Sequence, residues 1–279
     1  YTDMAFLHYR SGPFFIERSK QVPGTTPIYD MALSFMASSD DPISGGRHKV
    51  LGSKKLNIPP QTSTIASHLP KAVGTAFSVD RARDLNIHER ELDGNSIVLC
   101  SFGDASANHS TALSAFNTAS WVNNVGGHVP IIFICEDNGT GISVPTDSHW
   151  IQNNFSNRPG LDYIQTDGLH LIDLIIKSRR AEHGCRINRS PIFLHMKTVR
   201  LMGHAGSDVE VGYKSISEIE ATEFNDPLLH SARILIENGC MSSDDILKLY
   251  SSARIQIDSV FEAATLRPKL ETAKGVMRS

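Results

Sequence analysis

The chain has 279 residues, 40% of them hydrophobic, and a formal net charge of −3. That is enough for one large domain with a sizeable core. Mixed charge, and no apolar run near the ~20 residues of a membrane span, give no reason to expect a nucleic acid or membrane partner. Cys100, Cys135, Cys185 and Cys240 lack metal-ligand spacing and are expected to be reduced. The first residue is Tyr1 rather than Met, so the chain is expected to be a fragment or a processed product, with any targeting sequence outside it.

Tyr29, Leu33 and Met36 predict a short helix ending before Ser38-Ser39-Asp40-Asp41-Pro42, followed by a Gly-rich basic loop through Gly45 to Lys55. Ser67 to Asp84 reads as a helix with Ala72, Val73, Ala76, Phe77 and Val79 facing the core. Ser96 to Phe102 has the length of a buried strand and stops at Gly103-Asp104. Ala112, Leu113, Phe116, Ala119 and Ser120 then recur at helical spacing. A second apolar run, Pro130 to Cys135, stops at Glu136-Asp137-Asn138-Gly139. Asp167-Gly168 opens another helix, and Pro191 to Thr198 is a third strand. From Asp226 the pattern turns helical, with Leu228 to Asn238 closed by Gly239 and a long helix from Asp244 to Arg267. Strands alternating with helices, then a helical tail, predict an α/β fold with a mostly parallel sheet flanked by helices.

The order strand, helix, strand between Ser96 and Cys135 predicts a right-handed crossover, so both strands run parallel and end at one sheet edge. Asp104 and Asn138 are therefore expected to meet there. Ligands of open parallel sheets bind at that carboxyl edge. Two hard oxygen donors beside a helix N-terminus suit a magnesium ion and a diphosphate. A solvated turn aspartate is the plain alternative for Asp104 alone; its pairing with Asn138 favours the ligand.

The segment Gly103 to Thr140 resembles the thiamine-diphosphate motif, which opens Gly-Asp-Gly and closes Asn-Asn about one strand–helix–strand unit later. Tyr9-Arg10, the stretch Gln61 to Gly74 and Arg200 to Asp208 follow in the matching order. Together these motifs resemble the alpha subunit, or alpha half, of the decarboxylating component of 2-oxo acid dehydrogenase complexes, of branched-chain or pyruvate type. The resemblance implies a thiamine-diphosphate-binding fold over residues 1–225, with 226–279 as a helical extension of the same domain. It implies Mg²⁺ on the Asp104 carboxylate, the Asn138 amide oxygen and the Thr140 backbone carbonyl, completed by diphosphate oxygens and water at ~2.0–2.1 Å. It assigns Gly103, Asp104, Ala105, Ser106 and Asn138 to the cofactor, with Tyr9 and Arg10 on its diphosphate, where charge-assisted hydrogen bonds contribute ~1.5–3 kcal/mol each. Ser63 and Ile65 match the segment against the aminopyrimidine; they also read as an ordinary cap and staple for the helix that follows. His204 matches the loop histidine over the diphosphate, the catalytic residue that reaches the substrate channel. His48 and His68 could also line that channel, a structural role being favoured for His48.

This sequence departs from the motif in places. Ala105 stands where the family has Gly, which costs ~1 kcal/mol or more if the position needs φ > 0. Asp137 replaces the first Asn, leaving Asn138 as ligand with Asp137 behind it, and His109 replaces a Glu. Ala205 stands where animal relatives carry a phosphorylated Ser, which implies a bacterial-type cytoplasmic enzyme (mitochondrial matrix if eukaryotic) without that control.

The carboxylate that thiamine chemistry needs beside the pyrimidine N1′ comes from the beta subunit in this family. No candidate for it stands out here, so the chain is expected to need a beta subunit or fused beta half that supplies this Glu. The implied reaction is oxidative decarboxylation of a 2-oxo acid, branched-chain first and pyruvate next, with acyl transfer to a lipoyl-bearing acyltransferase. The alternatives are another thiamine enzyme, acetoin-cleaving or transketolase-like, or an idle scaffold homologue.

Overall fold

A computed structural model of the chain describes residues 2–61 and 64–277. Among the described residues seven strands and ten α-helices form, the strands being β1 Met4–Phe6, β2 Val98–Gly103, β3 Ile131–Asp137, β4 Thr140–Gly141, β5 Val144–Pro145, β6 Asp162–Asp167 and β7 Ile192–Lys197. The first five helices are α1 Gly12–Ser19, α2 Pro27–Phe35, α3 His68–Asp84, α4 Ser110–Asn124 and α5 Trp150–Phe155. The other five are α6 Leu171–Asn188, α7 Ile216–Glu223, α8 Pro227–Glu237, α9 Ser243–Thr265 and α10 Ala273–Met277. The chain divides into two compact units, Tyr1–His8 with Thr64–Asn238, and Tyr9–Ser63 with Gly239–Ser279.

The first unit is built on a five-stranded sheet in the order β1-β2-β3-β7-β6, every neighbour parallel. Parallel sheets need cover on both faces, and the period-two alternation of the strands supplies two apolar surfaces. Val98, Cys100 and Phe102 of β2, Ile131, Phe133 and Cys135 of β3, and Phe193 of β7 face one way, against α3, α4 and α5. Ile97, Ile132, Ile192 and Leu194 face the other way, where Ala181 and Cys185 of α6 cover them. Burial pushes the Cys100 and Cys135 thiols well above their ordinary range and that of Cys185 up to about 12. These three are inert fillers of the core.

Phe116 on α4 is the centre of the larger core. Its ring lies 4.9 Å from Phe133, 5.0 Å from Phe155, 5.3 Å from Phe102 and 5.7 Å from Phe193, mostly edge to face. Such geometry suits the ring quadrupole. Two residues expected to share these faces do not: Phe77 is 42% and Leu113 46% exposed. Both sit at the rim of an apolar stripe, where the small Ala72, Ala76 and Ala112 make the close contacts instead.

In the second unit α2 packs on α9, with Ala32 and Leu33 against Ala264 and the flanking Val260 and Phe261. Arg267 donates to Asp40 Oδ2 at 2.7 Å, and Arg47 donates to the carbonyls of Gly275 and Val276. The change in composition at residue 226 is thus not where the units divide. Helix α8 belongs to the first unit and α9 to the second, and Gly239 separates them with φ of +65°.

Strands β1 and β6 carry no apolar alternation long enough to read, being three residues long and an edge strand respectively. Among the described residues no helix is long and apolar enough to cross a membrane.

Truncating Phe116 leaves a void between four rings that cannot all close in. Phe116→Ala is expected to cost about 3–5 kcal/mol in denaturant unfolding. A loss below about 1 kcal/mol would show that the cluster collapses freely and is not the keystone of this core.

Candidate functional site

The carboxyl edge of the sheet holds the candidate site. Parallel pairing sets Gly103 opposite Glu136, and the Asp104 N–H donates to the Glu136 carbonyl at 3.3 Å. The Asp104 side chain is buried, and its Oδ2 accepts from the Thr146 hydroxyl at 2.6 Å. Burial pushes the carboxyl above its ordinary value; the Thr146 hydroxyl draws it back, and the neighbouring Asp137 charge raises it again. A desolvated carboxylate of this kind is a group that could hold a cation.

Asn138, Gly139 and Thr140 form the turn that leaves β3. Asn138 Oδ1 accepts the Thr140 N–H at 3.1 Å, and Gly139 takes the left-handed φ of +74° that this turn requires. Thr146 closes the arrangement. Its N–H donates to the Gly139 carbonyl at 2.9 Å while its hydroxyl holds Asp104. One residue thus ties the end of β2 to the turn after β3, a role its sequence position did not signal.

Ala105 opens a short 3₁₀ turn, Ala105–Asn108, which also contains Ser106. It is not among the residues of positive φ, so the strain considered for it does not arise. Space for its methyl comes from Gly141, where a Cβ would lie 2.9 Å from the Ala105 Cβ.

A cavity of about 300 Å³ opens outside the ends of β3 and β7, lined by Asn138, Thr140, Thr198, Val199, Arg200 and Lys214 among others. Here the crossover through α6 returns the chain from the outer β6 to β7, beside β3. Arg200 donates to the Ile142 carbonyl at 2.7 Å and to the Tyr213 hydroxyl at 2.9 Å, and its Nε is buried without a partner. Ile142 takes φ of +57°, costly for a β-branched residue, at the tip of the β4–β5 hairpin. Lys214 pairs with Glu210 at 2.5 Å.

His204 is half-buried in the loop after β7. The Asp208 carboxylate organises that loop, accepting the His204 N–H at 2.5 Å and the Tyr213 hydroxyl at 2.8 Å. The first of these bonds, then the second, holds its pKa below the ordinary value.

Gly103, Asp104, Ala105, Ser106, Asn138 and Thr140 thus gather at one edge. Ile65 sits in the turn before α3, 42% exposed. The N-cap of that helix is Ser67, without a side-chain cap bond, so the position just before the cap is Ala66 rather than Ile65. Ala66 beside it is buried at φ of +63°. Ser63 lies outside the described residues. Tyr9 and Arg10 belong to the second unit, where the guanidinium lies 5.2 Å from the Tyr9 ring centroid and Lys49 donates to the Tyr9 carbonyl. His68 is a structural histidine, buried, with Nε2 donating to the Ser101 carbonyl at 2.8 Å and its pKa lowered by burial.

Asp137 is the residue whose surroundings the sequence concealed. Its Oδ1 accepts the Gly139 N–H at 3.1 Å, and its Oδ2 accepts from His195 Nε2 at 2.7 Å and Lys197 Nζ at 2.5 Å. Burial alone would raise its pKa, but those two donors outweigh it and hold the carboxyl at about 2. Among the described residues no three His, Cys, Asp or Glu gather as a metal cage. Apart from the paired Asp137, the oxygen groups beside the turn are the Asp104 carboxylate, the Asn138 amide and backbone carbonyls.

Comparison with known proteins places these features in a family. Residues 1–273 match the family described as the dehydrogenase E1 component. The chain is 27% identical over 235 residues to the mitochondrial 2-oxoisovalerate dehydrogenase subunit alpha of Caenorhabditis elegans, covering 82% of this chain and 51% of that protein. It is 26% identical to the 2-oxoisovalerate dehydrogenase subunit alpha of Bacillus subtilis, covering 84% of this chain and 70% of that one. Against the mitochondrial pyruvate dehydrogenase E1 component subunit alpha of Dictyostelium discoideum the identity is 27%, over 73% of this chain and 51% of the relative. The chain therefore spans about half the length of the two mitochondrial relatives. With almost its whole length matched, the chain belongs to the dehydrogenase E1 component family.

Proposed function

We propose that the chain is the alpha part of a thiamine-diphosphate-dependent 2-oxo acid dehydrogenase, with Mg²⁺ and the cofactor's diphosphate held at the carboxyl edge of the sheet. The observation that carries this reading is the buried Asp104 carboxylate, fixed through Thr146 against the Asn138–Thr140 turn. The residues fit the group. One desolvated carboxylate, an amide oxygen and a backbone carbonyl are the hard donors that Mg²⁺ accepts, leaving room for phosphate oxygens and water. The cavity beside them carries two cations, and the buried Nε of Arg200 has no partner of its own. Bound there, thiamine diphosphate supplies the carbon nucleophile and electron sink for decarboxylation of a 2-oxo acid.

The chain's own residues do the holding. Asp104, Asn138 and Thr140 take the metal, the Gly103 to Ser106 turn lies under the diphosphate, and Tyr9, Arg10, Ser63 and Ile65 take the family's positions along the cofactor. His204 serves as donor to phosphate or to the substrate carboxylate. Names of relatives support branched-chain 2-oxo acids as substrate, with pyruvate second. A beta chain or fused beta half supplies the N1′ glutamate, and a lipoyl-bearing acyltransferase takes the acyl group. We place the enzyme in the bacterial-type cytoplasm because Ala205 offers no hydroxyl for phosphorylation. Retention of Arg10, Asp104, Asn138 and His204 argues against an idle scaffold.

In the assembled enzyme Asp104→Ala is expected to abolish Mg²⁺-dependent thiamine diphosphate binding in calorimetry; unchanged affinity would remove the metal assignment. The purified chain without beta protein is expected to release no CO₂ from 2-oxo acids above background. Turnover by it alone would mean that it carries its own N1′ carboxylate.

The loop Met202 to Asp208 exposes its apolar Met202 and gains little from burial, so its order depends on the Asp208 bonds. Asp208→Ala is expected to speed limited proteolysis after Arg200 several-fold, with bound cofactor slowing it again through His204. Cleavage at one rate in wild type and variant, with or without thiamine diphosphate and Mg²⁺, would leave His204 an ordinary loop residue.

A further inference from the structure

Behind the turn that carries Asn138 lies a buried polar array that the cofactor reading does not use. The parallel register sets Asp137 opposite Lys197, Cys135 opposite His195, and Gln165 on the far side of His195. By strand alternation Asp137, His195, Lys197, Tyr163 and Gln165 therefore share one sheet face. His195 has no solvent exposure. Its Nε2 lies 2.7 Å from Asp137 Oδ2 and its Nδ1 lies 2.6 Å from the Tyr163 hydroxyl, which also reaches Gln165 Oε1 at 3.2 Å. Lys197 reaches the same carboxylate oxygen and, at 3.1 Å, the Ser148 carbonyl.

Asp137 accepts only, so His195 Nε2 carries the proton between them. Burial keeps the Tyr163 phenol protonated, its pKa pushed far up. An imidazole this deep in an aromatic core requires partners on both nitrogens, and it has them. The consequence passes to the turn. With Oδ2 held from behind, the Asp137 carboxylate cannot swing towards Asp104, and its Oδ1 is aimed at the Gly139 N–H. That bond sets the path of Asn138 and Thr140.

We propose that His195, with Tyr163 behind it and Lys197 beside it, is a positioning residue that orients the Asp137 carboxylate and so sets the divalent-cation affinity of the Asn138–Thr140 turn. The proposal rests on the cofactor site argued above. In it Asp137 braces the turn and stays off the metal, leaving Asp104 as the only charged ligand. Groups standing behind metal ligands commonly change affinity by about 10–100-fold when removed.

The test uses the assembled enzyme, with Mn²⁺ as probe in the presence of thiamine diphosphate, free Mn²⁺ read by electron paramagnetic resonance, and melting temperature followed in parallel. His195→Leu, which keeps the volume and loses both nitrogens, is expected to weaken Mn²⁺ binding about tenfold or more. His195→Gln, which retains an N–H for Asp137, is expected to recover most of that loss. Tyr163→Phe is expected to weaken binding several-fold at an unchanged melting temperature, and it carries the test if His195→Leu does not fold. Wild-type affinity, within about twofold, in the variants that fold would overturn the proposal while Asp104→Ala still loses binding and the site itself stands. Equal losses in the Gln and Leu variants would also overturn it, reducing His195 to packing. If wild-type enzyme shows no thiamine-dependent Mn²⁺ binding, the cofactor reading fails first and takes this one with it.

Discussion

Side-by-side parallel pairing of β2 and β3 is the constraint on which the candidate site depends. With Gly103 opposite Glu136, the strands release their chains at the same height, and the Asp104 N–H spends itself on the Glu136 carbonyl. Two residues separated by a helix and a strand then become neighbours without any long-range attraction between their own side chains. The aromatic cluster around Phe116 keeps α4 and α5 on the sheet, and so holds that register against slippage. A one-residue slip would turn Phe133 and Cys135 away from the core. Packing at the centre of the unit and ligand geometry at its edge are one problem.

Much of this was legible in the sequence because it obeys simple periods. The runs Ser96 to Phe102 and Pro130 to Cys135 are buried on both faces and read as such. The spacing of Ala112, Phe116 and Ala119 marks the helix between them, and the crossover rule places Asp104 near Asn138. Helix α9, expected from Asp244 to Arg267, runs from Ser243 to Thr265, and the reciprocal cap pair between Ser242 and Asp245 that starts it was not read. Strand β6 did not announce itself because Asp162-Tyr163-Ile164-Gln165-Thr166-Asp167 lies at an edge, where one side of the ladder and much of its surface stay polar. The division into units was illegible for a different reason. It depends on α9 packing against α2, a contact between segments more than 200 residues apart that no local pattern encodes.

The polar interior was the least legible part. A sequence reader meets His195 in an otherwise apolar run, Ile192 to Met196, and has no means of knowing that Asp137 and Tyr163 flank it on neighbouring strands. Only the register supplies that. The same holds for Thr146, a residue of no motif, which binds both Asp104 and the Gly139 carbonyl. Charges inside this unit are placed so that each has a partner of known kind. Asp80 receives Arg189, whose remaining guanidinium donors go to the Asn95 and Ser96 carbonyls. Asp137 receives His195 and Lys197. Asp104, by contrast, accepts from the Thr146 hydroxyl and nearby backbone N–H groups and from no cationic side chain, and burial raises its pKa.

Between Ala105 and Gly141 there is room for one methyl group. A Cβ on Gly141 would come within 2.9 Å of the one already on Ala105, so the two positions share a single allowance of volume. Substitutions at this corner are therefore coupled. A methyl at residue 141 forces a local shift while residue 105 is alanine, and glycine at 105 would relieve that crowding. The alanine after Asp104 and the glycine in the hairpin are then one packing unit, and a substitution at either has to be read together with the other.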